Sequence, residues 1–102
     1  MIELPLISVP SQKINVILNG QNVTFILYTK GKHMYSDLYV NDTPLWLARI
    51  CLNGVLQKQY DCIPFVGDIL PAGIIDYTKI PEECSFYYVT PDEVEEYEPE
   101  KH

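Results

Sequence analysis

The side chains able to do nucleophilic or acid–base chemistry are few and scattered. The chain has two histidines, His33 and His102. A hydrolase site needs a nucleophile, a base and a group that orients the base. Asp37 follows His33 by four residues on a predicted strand, where that spacing separates the two by about 13 Å. We therefore expect no catalytic site and predict that His33 is an exposed turn residue.

Three cysteines, Cys51, Cys62 and Cys84, are odd in number and include no C-x-x-C pair. Structural zinc sites use closely spaced ligand pairs, and disulfide frameworks use even sets of cysteines. A zinc site made from these three residues and His33 would require the fold to gather four distant side chains. The sequence therefore predicts three reduced thiols, no metal and no cofactor, as in a reducing compartment.

The charge is concentrated at one end of the chain. Of 14 acidic and 7 basic residues in the 102, six acids and one base fall in residues 91–102, which leaves eight acids and six bases for residues 1–90. The only arginine is Arg49, and no basic stripe of the kind that binds nucleic acid is present. We predict one domain over residues 1–91 and a mobile acidic tail over residues 92–102.

Neither a secretion signal nor a membrane span is predicted. The N-terminal residues lack a basic region and include Glu3, unlike a signal peptide. The apolar stretch over residues 62–75 contains Asp68, two prolines and two glycines. It also falls short of the roughly 20 residues that span a bilayer. We expect a cytoplasmic protein without membrane contact.

The first half of the chain has the period of half-buried strands. Apolar residues alternate on both sides of Asn19-Gly20, a pair that favours a type I′ turn because both of its positions need positive φ. With these two residues as the loop, Val16 pairs with Val23 and Ile14 with Phe25, and both pairs fall on one face. The sequence therefore predicts a tight β-hairpin.

The remaining elements are also short. We predict strands over Met34–Val40, Leu45–Leu52 and Phe86–Thr90, one strand within Ile63–Pro71, and a loop or single helical turn over Asp76–Glu83. Leu45–Leu52 is apolar on both faces, which predicts a central strand or one covered on two sides. The expected fold is mostly β, a small antiparallel barrel or sandwich of six to seven short strands with an acidic C-terminal tail.

Tyrosine is unusually abundant, with eight residues in the chain. Tyrosine and tryptophan are enriched at protein interfaces because the ring packs on apolar surface while its polar atom stays wet. They can equally cover the faces of a small barrel, so the pattern leaves both readings open. We also predict that the segment Leu4–Val9 adds a strand to a partner's sheet edge. The candidate interface residues are Tyr35, Tyr39, Trp46, Tyr87 and Tyr88.

The order and spacing of several short sequence motifs resemble those of the baseplate plug family of contractile-tailed phages and prophages. The resemblance covers about residues 2–90. The phrases are Leu4-Pro5-Leu6, Val9-Pro10-Ser11-Gln12, Leu18-Asn19-Gly20-Gln21-Asn22, Met34-Tyr35-Ser36-Asp37-Leu38-Tyr39-Val40, Pro44, Ile50-Cys51-Leu52-Asn53 and Phe65-Val66-Gly67-Asp68-Ile69-Leu70.

The resemblance implies a structural protein of the inner baseplate, near the tail tube and hub, without activity or cofactor. Its partners would be those tail proteins or copies of itself. It would assemble in the host cytoplasm and then reside in the virion. The chain departs from the family at Ile80–Glu83, where relatives often carry glycine and aspartate, and in its longer acidic tail. The alternative is a small acidic inhibitor or adaptor that mimics nucleic acid, which would need carboxylates arrayed over a folded surface.

Overall fold

A computed structural model describes residues 1–58 and 64–97, and seven strands lie in this part of the chain. The elements are β1 (Ile2–Glu3), β2 (Ser11–Leu18), β3 (Gln21–Lys30), β4 (His33–Val40), β5 (Thr43–Ile50), β6 (Asp68–Gly73), a 3₁₀ turn (Tyr77–Lys79), β7 (Cys84–Val89) and α1 (Pro91–Tyr97). The strands form two antiparallel sheets, with strand orders β2-β3-β4-β5 and β1-β7-β6. Since neither sheet closes on itself, the fold is a sandwich rather than a barrel, and the predicted mostly β class is confirmed.

The β2–β3 hairpin has the predicted turn and register. Asn19 and Gly20 both have positive φ, 51° and 75°, which is the requirement of a type I′ turn. Val16 pairs with Val23 and Ile14 with Phe25. Because the apolar pattern and the turn demand the same register, this hairpin is specified locally.

The core lies between the two sheets and is rich in aromatic rings. Phe25 and Phe86 face each other across it with ring centroids 6.0 Å apart. Trp46, Phe65 and Tyr88 form a chain of edge-on contacts, each with ring centroids 5.9 Å apart. These tilted and edge-on arrangements suit the ring quadrupoles and add to the free energy gained from apolar burial.

The N-terminal segment contributes to the chain's own core. Leu4 and Leu6 are 3% and 7% exposed, and the Leu4 N–H donates to the Phe86 carbonyl oxygen at 2.8 Å. The prediction that Leu4–Val9 lies along a partner's edge is therefore wrong for these leucines. Their apolar side chains gain more from burial beside β7 than an exposed strand would offer.

Strand β5 departs from the prediction of a central strand. It is the edge of its sheet, and its pairing with β4 shifts twice, between Ser36 and Leu38 and again between Leu38 and Tyr39. Each shift inserts one extra residue into β5, which is the geometry of a β-bulge. One bulged residue, Ala48, has φ of +53°. The bulges break the two-residue period, so the face assigned to each residue by simple alternation does not hold along β5.

Strand β6 is an edge strand that is partly covered by the segment of residues 51–58. The predicted short strand within Ile63–Pro71 is present, but it begins at Asp68 and continues to Gly73. The N–H groups of Gly54 and Gln57 donate to the carbonyls of Pro71 and Ile69, at 2.8 and 3.0 Å. Proline lacks a donor, so it is tolerated at a sheet edge.

The loop predicted over Asp76–Glu83 contains the single 3₁₀ turn, which begins where the Asp76 carboxylate accepts the Thr78 N–H at 2.9 Å. After β7, helix α1 begins with a capping box. The Thr90 Oγ1 accepts the Glu93 N–H at 3.4 Å, and the Glu93 carboxylate accepts the Thr90 N–H at 2.9 Å. Pro91 occupies the first helical position, where its missing donor is not needed.

Val94 attaches helix α1 to the sandwich by packing against Leu56, Leu70 and Val89. The helix therefore covers part of the β1-β7-β6 sheet. Residues 98–102 of the predicted tail, which include His102, lie outside the described residues. That the whole of residues 92–102 is mobile stays a prediction.

Candidate functional site

Among the described residues, His33 and Asp37 are too far apart in role and position to form an acid–base pair. His33 is exposed at the start of β4. The Asp37 carboxylate accepts the Ala48 N–H at 2.7 Å and the Tyr28 hydroxyl at 3.2 Å. Asp37 thus satisfies the backbone of the β5 bulge. Residues 1–58 and 64–97 contain no group of three or more histidine, cysteine, aspartate or glutamate side chains placed to hold a metal ion.

Two of the three cysteines are buried thiols. Cys51 and Cys84 are 2% and 1% exposed, and Cys62 lies outside the described residues. Burial raises the pKa of the Cys51 thiol to about 12, and burial also raises the pKa of Cys84. Both groups are therefore protonated thiols at neutral pH, whereas nucleophilic cysteines need a lowered pKa and access.

A buried polar cluster fastens residues 51–58 to the inner face of the four-stranded sheet. Gln57 is 1% exposed. Its Oε1 accepts the Ser36 hydroxyl at 2.5 Å, and its Nε2 donates to the Ile50 carbonyl at 3.1 Å. The Trp46 Nε1–H donates to Ser36 Oγ at 3.1 Å, and Arg49 donates to the Gln57 carbonyl at 2.6 Å. Such satisfied buried networks specify a unique packing.

The Phe-x-Gly-Asp phrase also has a structural explanation. Gly67 has φ of +94°, and a Cβ there would lie 2.6 Å from the Tyr88 Oη. Only glycine allows this approach. The Asp68 carboxylate accepts the Lys58 N–H at 2.7 Å, which anchors the chain just after the buried cluster. The motif therefore fixes the chain between Lys58 and the start of β6.

The outer side of the four-stranded sheet carries a patch of aromatic and aliphatic side chains. The register places Tyr28 opposite Tyr35, and Tyr35 opposite Ile50. The Tyr28 and Tyr35 rings stack with centroids 6.0 Å apart and an interplanar angle of 24°. We call this patch the tyrosine face and define it by Ile26, Tyr28, Tyr35, Tyr39 and Ile50, all half-buried.

The tyrosine face is nearly balanced in charge. A depression of about 240 Å³ beside it is lined by Lys13, Thr24, Ile26, Tyr39 and Asp42, so one cation and one anion border it. Burial, followed by the charge of Asp37, raises the pKa of Tyr28. The hydroxyl of Tyr28 is therefore a neutral hydrogen-bond donor at physiological pH. Apolar rings with wet hydroxyls suit a protein contact better than a charged ligand.

The structure separates the five predicted interface residues into two groups. Tyr35 and Tyr39 lie on the tyrosine face, and Tyr87 is half-buried on β7 in the other sheet. Trp46 and Tyr88 are 3% and 1% exposed, so they belong to the core. Tyr35, Tyr39 and Tyr87 are therefore the predicted interface residues that remain accessible.

The two buried residues have separate causes. Trp46 faces inward opposite Leu38, at the β5 bulges. Tyr88 shares the inward parity of Phe86, and its hydroxyl is satisfied by the Val66 carbonyl at 2.5 Å. Tyr28 was not among the predicted residues, although the hairpin register places it with Ile26 on the outer face. Extending that register along β3 would have found it.

The chain folds as a small β-sandwich module in which the carboxylates of Asp37, Asp68, Asp76 and Glu93 accept hydrogen bonds from backbone N–H groups. The chain belongs to the family described as cyanophage baseplate Pam3 plug gp18, which matches residues 1–92. This confirms the resemblance to the baseplate plug family, and such a plug is a structural protein. No curated protein matches the chain significantly. No helix within the described ranges has the length and apolar character needed to cross a bilayer.

Proposed function

We propose that this protein is a structural component of a contractile phage tail, placed at the inner baseplate near the tail tube and hub. The observation that carries the proposal is the family match over residues 1–92. It covers both sheets and therefore the whole sandwich. The protein acts through contacts with other tail proteins, is assembled in the host cytoplasm and becomes part of the virion.

The tyrosine face is the contact surface that we assign to this role. Tyr35 and Tyr39 keep part of each ring exposed on a rigid four-stranded sheet. Tyrosine on a rigid element supplies contact area at a low cost in conformational entropy. Tyr87 lies in the other sheet, so a single flat partner cannot cover both. Tyr87 therefore belongs to a second contact. A stable contact at the tyrosine face should bury roughly 1,000 Å² or more in total.

The alternative function, an acidic inhibitor or adaptor, gains no support from the described residues. A nucleic-acid mimic needs carboxylates spread over its folded surface. In this chain four acids, Asp92, Glu93, Glu95 and Glu96, lie in the short helix α1, and Glu93 is used in the helix cap. On the outer face of the four-stranded sheet, the Asp37 carboxylate is engaged by the Ala48 N–H and the Tyr28 hydroxyl and lies beside the rings of the tyrosine face.

The proposal is tested by deleting the gene in a phage or prophage that encodes it and purifying the tail particles. We expect the protein in wild-type tails by mass spectrometry, and incomplete or unstable baseplates by electron microscopy in the deletion strain. Complementation with the wild-type gene should restore both. Normal infectious particles that lack the protein would contradict the proposal.

A further inference from the structure

The outer edge of β2 differs from the other long sheet edges. β2 is eight residues long and ends its sheet, with β3 as its strand neighbour. Among its residues Lys13 is the only charged one, and none is proline or glycine. Natural edges are usually protected by charges, prolines or bulges. This edge has one lysine as its sole protection.

The register shows which backbone groups point outward. The Thr29 N–H donates to the Pro10 carbonyl at 2.8 Å. Since hydrogen-bonded positions alternate along an antiparallel pair, the even-numbered residues of β2 bond to β3. The N–H and C=O groups of Lys13, Asn15 and Ile17 therefore point away from the sheet. These three residues are exposed, and Ile17 is 68% exposed.

The opposite side of the sandwich offers no such edge. β5 is interrupted by two register shifts and contains Pro44. The outer edge of β6 accepts hydrogen bonds from Gly54 and Gln57. β2 is thus the long, regular and uncovered edge in the described part of the chain.

We propose that the β2 edge pairs with β2 of a second copy of this chain, antiparallel about a twofold axis at Asn15. This register places Ile14 opposite Val16 of the other copy on the core side. It places Lys13 opposite Ile17 on the outer side. Three pairs of outward-pointing residues then exchange six backbone hydrogen bonds. A register centred on Lys13 would instead set two lysines face to face, which is unfavourable.

The choice of a second copy rests on this self-complementarity. On the core side Ile14 meets Val16, with Gln12 opposite Leu18 at the ends of the strand, and no like charges meet on either side. The net charge of −7 per chain opposes association, but six acids lie in residues 91–102, and salt screens such repulsion beyond about 8 Å at 0.15 M. The paired sheets would form one eight-stranded sheet and place the tyrosine faces of both copies on the same side.

The test is sedimentation velocity of the whole chain at 0.15 M salt, over roughly 1 to 300 µM, with two charge variants at the exposed position 17. We expect the wild type to shift from monomer toward dimer as the concentration rises. Ile17→Lys places a lysine opposite Lys13 twice per dimer and should weaken association about 5- to 30-fold. Ile17→Glu pairs with Lys13 and should associate at least as well as the wild type.

The double variant Lys13→Glu/Ile17→Lys restores opposite charges and should recover the dimer. Circular dichroism must show the same fold for all variants, since both positions are exposed. A wild type that stays monomeric would overturn the proposal, as would equal weakening by Ile17→Lys and Ile17→Glu. If the wild type is monomeric and Ile17→Lys is lost from tails, the edge binds a strand of another tail protein instead of a second copy.

This inference is independent of the proposed function. A protein that dimerises as described but is missing from tail particles would contradict the baseplate role and leave the pairing intact. A monomeric protein that is present in tails would contradict the pairing and leave the baseplate role intact.

Discussion

The β5 side of the sandwich is irregular and closed, whereas the β2 side is regular and open. On the β5 side, two bulges bend the edge and residues 51–58 reach across to β6. On the β2 side, an eight-residue strand presents evenly spaced backbone groups to solvent. A domain of this size buries a smaller fraction of its surface than a larger one does, so part of the sandwich stays exposed to solvent.

The difference has a physical consequence for each side. Closure of the β5 side depends on buried hydrogen bonds among Ser36, Trp46 and Gln57, so it should be sensitive to single substitutions. At the β2 edge Lys13, Asn15 and Ile17 are exposed, so substitutions at these three positions should leave stability nearly unchanged and alter association instead.

The largest effect should come from Gln57→Leu, which removes the side chain that fastens residues 51–58 to the four-stranded sheet. The Ser36 hydroxyl and the Ile50 carbonyl then lose their partner. We expect a loss of about 3 kcal/mol in the free energy of unfolding, measured by urea denaturation. The control is Ile17→Ser on the open side, which should change stability by less than about 0.5 kcal/mol. Equal effects of the two substitutions would contradict the comparison.

The next effect concerns the turn that joins β2 to β3. Gly20 has φ of +75°, and nothing lies within 4 Å of an added Cβ. Gly20→Val therefore adds backbone strain alone, because a β-branched residue resists positive φ. We expect a loss of about 1–2 kcal/mol by denaturant titration. A change within about 0.5 kcal/mol would show that the turn does not set the register.

Alkaline pH should weaken the closed side. The pKa of Cys51 in the folded protein is about 12, above its ordinary value near 9. The stabilisation that comes from the buried neutral thiol is complete below pH 9 and is lost as pH rises toward 12. For this group we expect a loss of about 1 kcal/mol between pH 8 and 10. Cys51→Ser should flatten the dependence of unfolding free energy on pH over that range. If the slope of unfolding free energy against pH is unchanged in Cys51→Ser, a group other than Cys51 causes the pH dependence.

Burial also protects the thiols of Cys51 and Cys84 from reagents. We predict that thiol titration of the denatured chain without reductant finds three reactive groups, and that native Cys51 reacts far more slowly than it does after unfolding. Fewer than three groups, or bound zinc by elemental analysis, would refute the prediction of reduced and metal-free cysteines.

The smallest effect is a gain. Ala48 has φ of +53° in the β5 bulge, a conformation that is unfavourable for alanine and open to glycine. Ala48→Gly should raise the free energy of unfolding by about 0.5–1 kcal/mol, measured as an increase in the urea midpoint. A decrease would show that the bulge is not under strain.

The sequence predicts what depends on local pattern. The β2–β3 register followed from Asn19-Gly20 and the alternation around it, because the turn and the apolar face require the same pairing. The single turn after β6 followed from its polar and proline-containing segment. In these regions local preference and final packing agree.

The sequence failed where packing overrides periodicity. The bulges of β5 reverse the side of the sheet that a residue faces, so alternation could not show that Trp46 is inside and Leu47 is 57% exposed. Tyr88 looked like a contact residue because its ring and hydroxyl suit an interface. Its burial depends on Gly67, which lets the ring approach a loop distant in sequence. The alternation of apolar and polar residues reveals neither a β-bulge nor a contact between residues that are distant in sequence.

If the tyrosine face attaches this protein to the baseplate, loss of its rings should reduce incorporation of the protein into tails. The gene carrying Tyr35→Ser and Tyr39→Ser is expressed in the deletion strain, beside an Ile74→Ser control that removes an exposed apolar group elsewhere. The measurement is the amount of the protein in purified tails, normalised to its folded amount in the lysate. We predict a loss of at least about 10-fold for the tyrosine variant and wild-type incorporation for the control. Equal incorporation of both variants would contradict the claim.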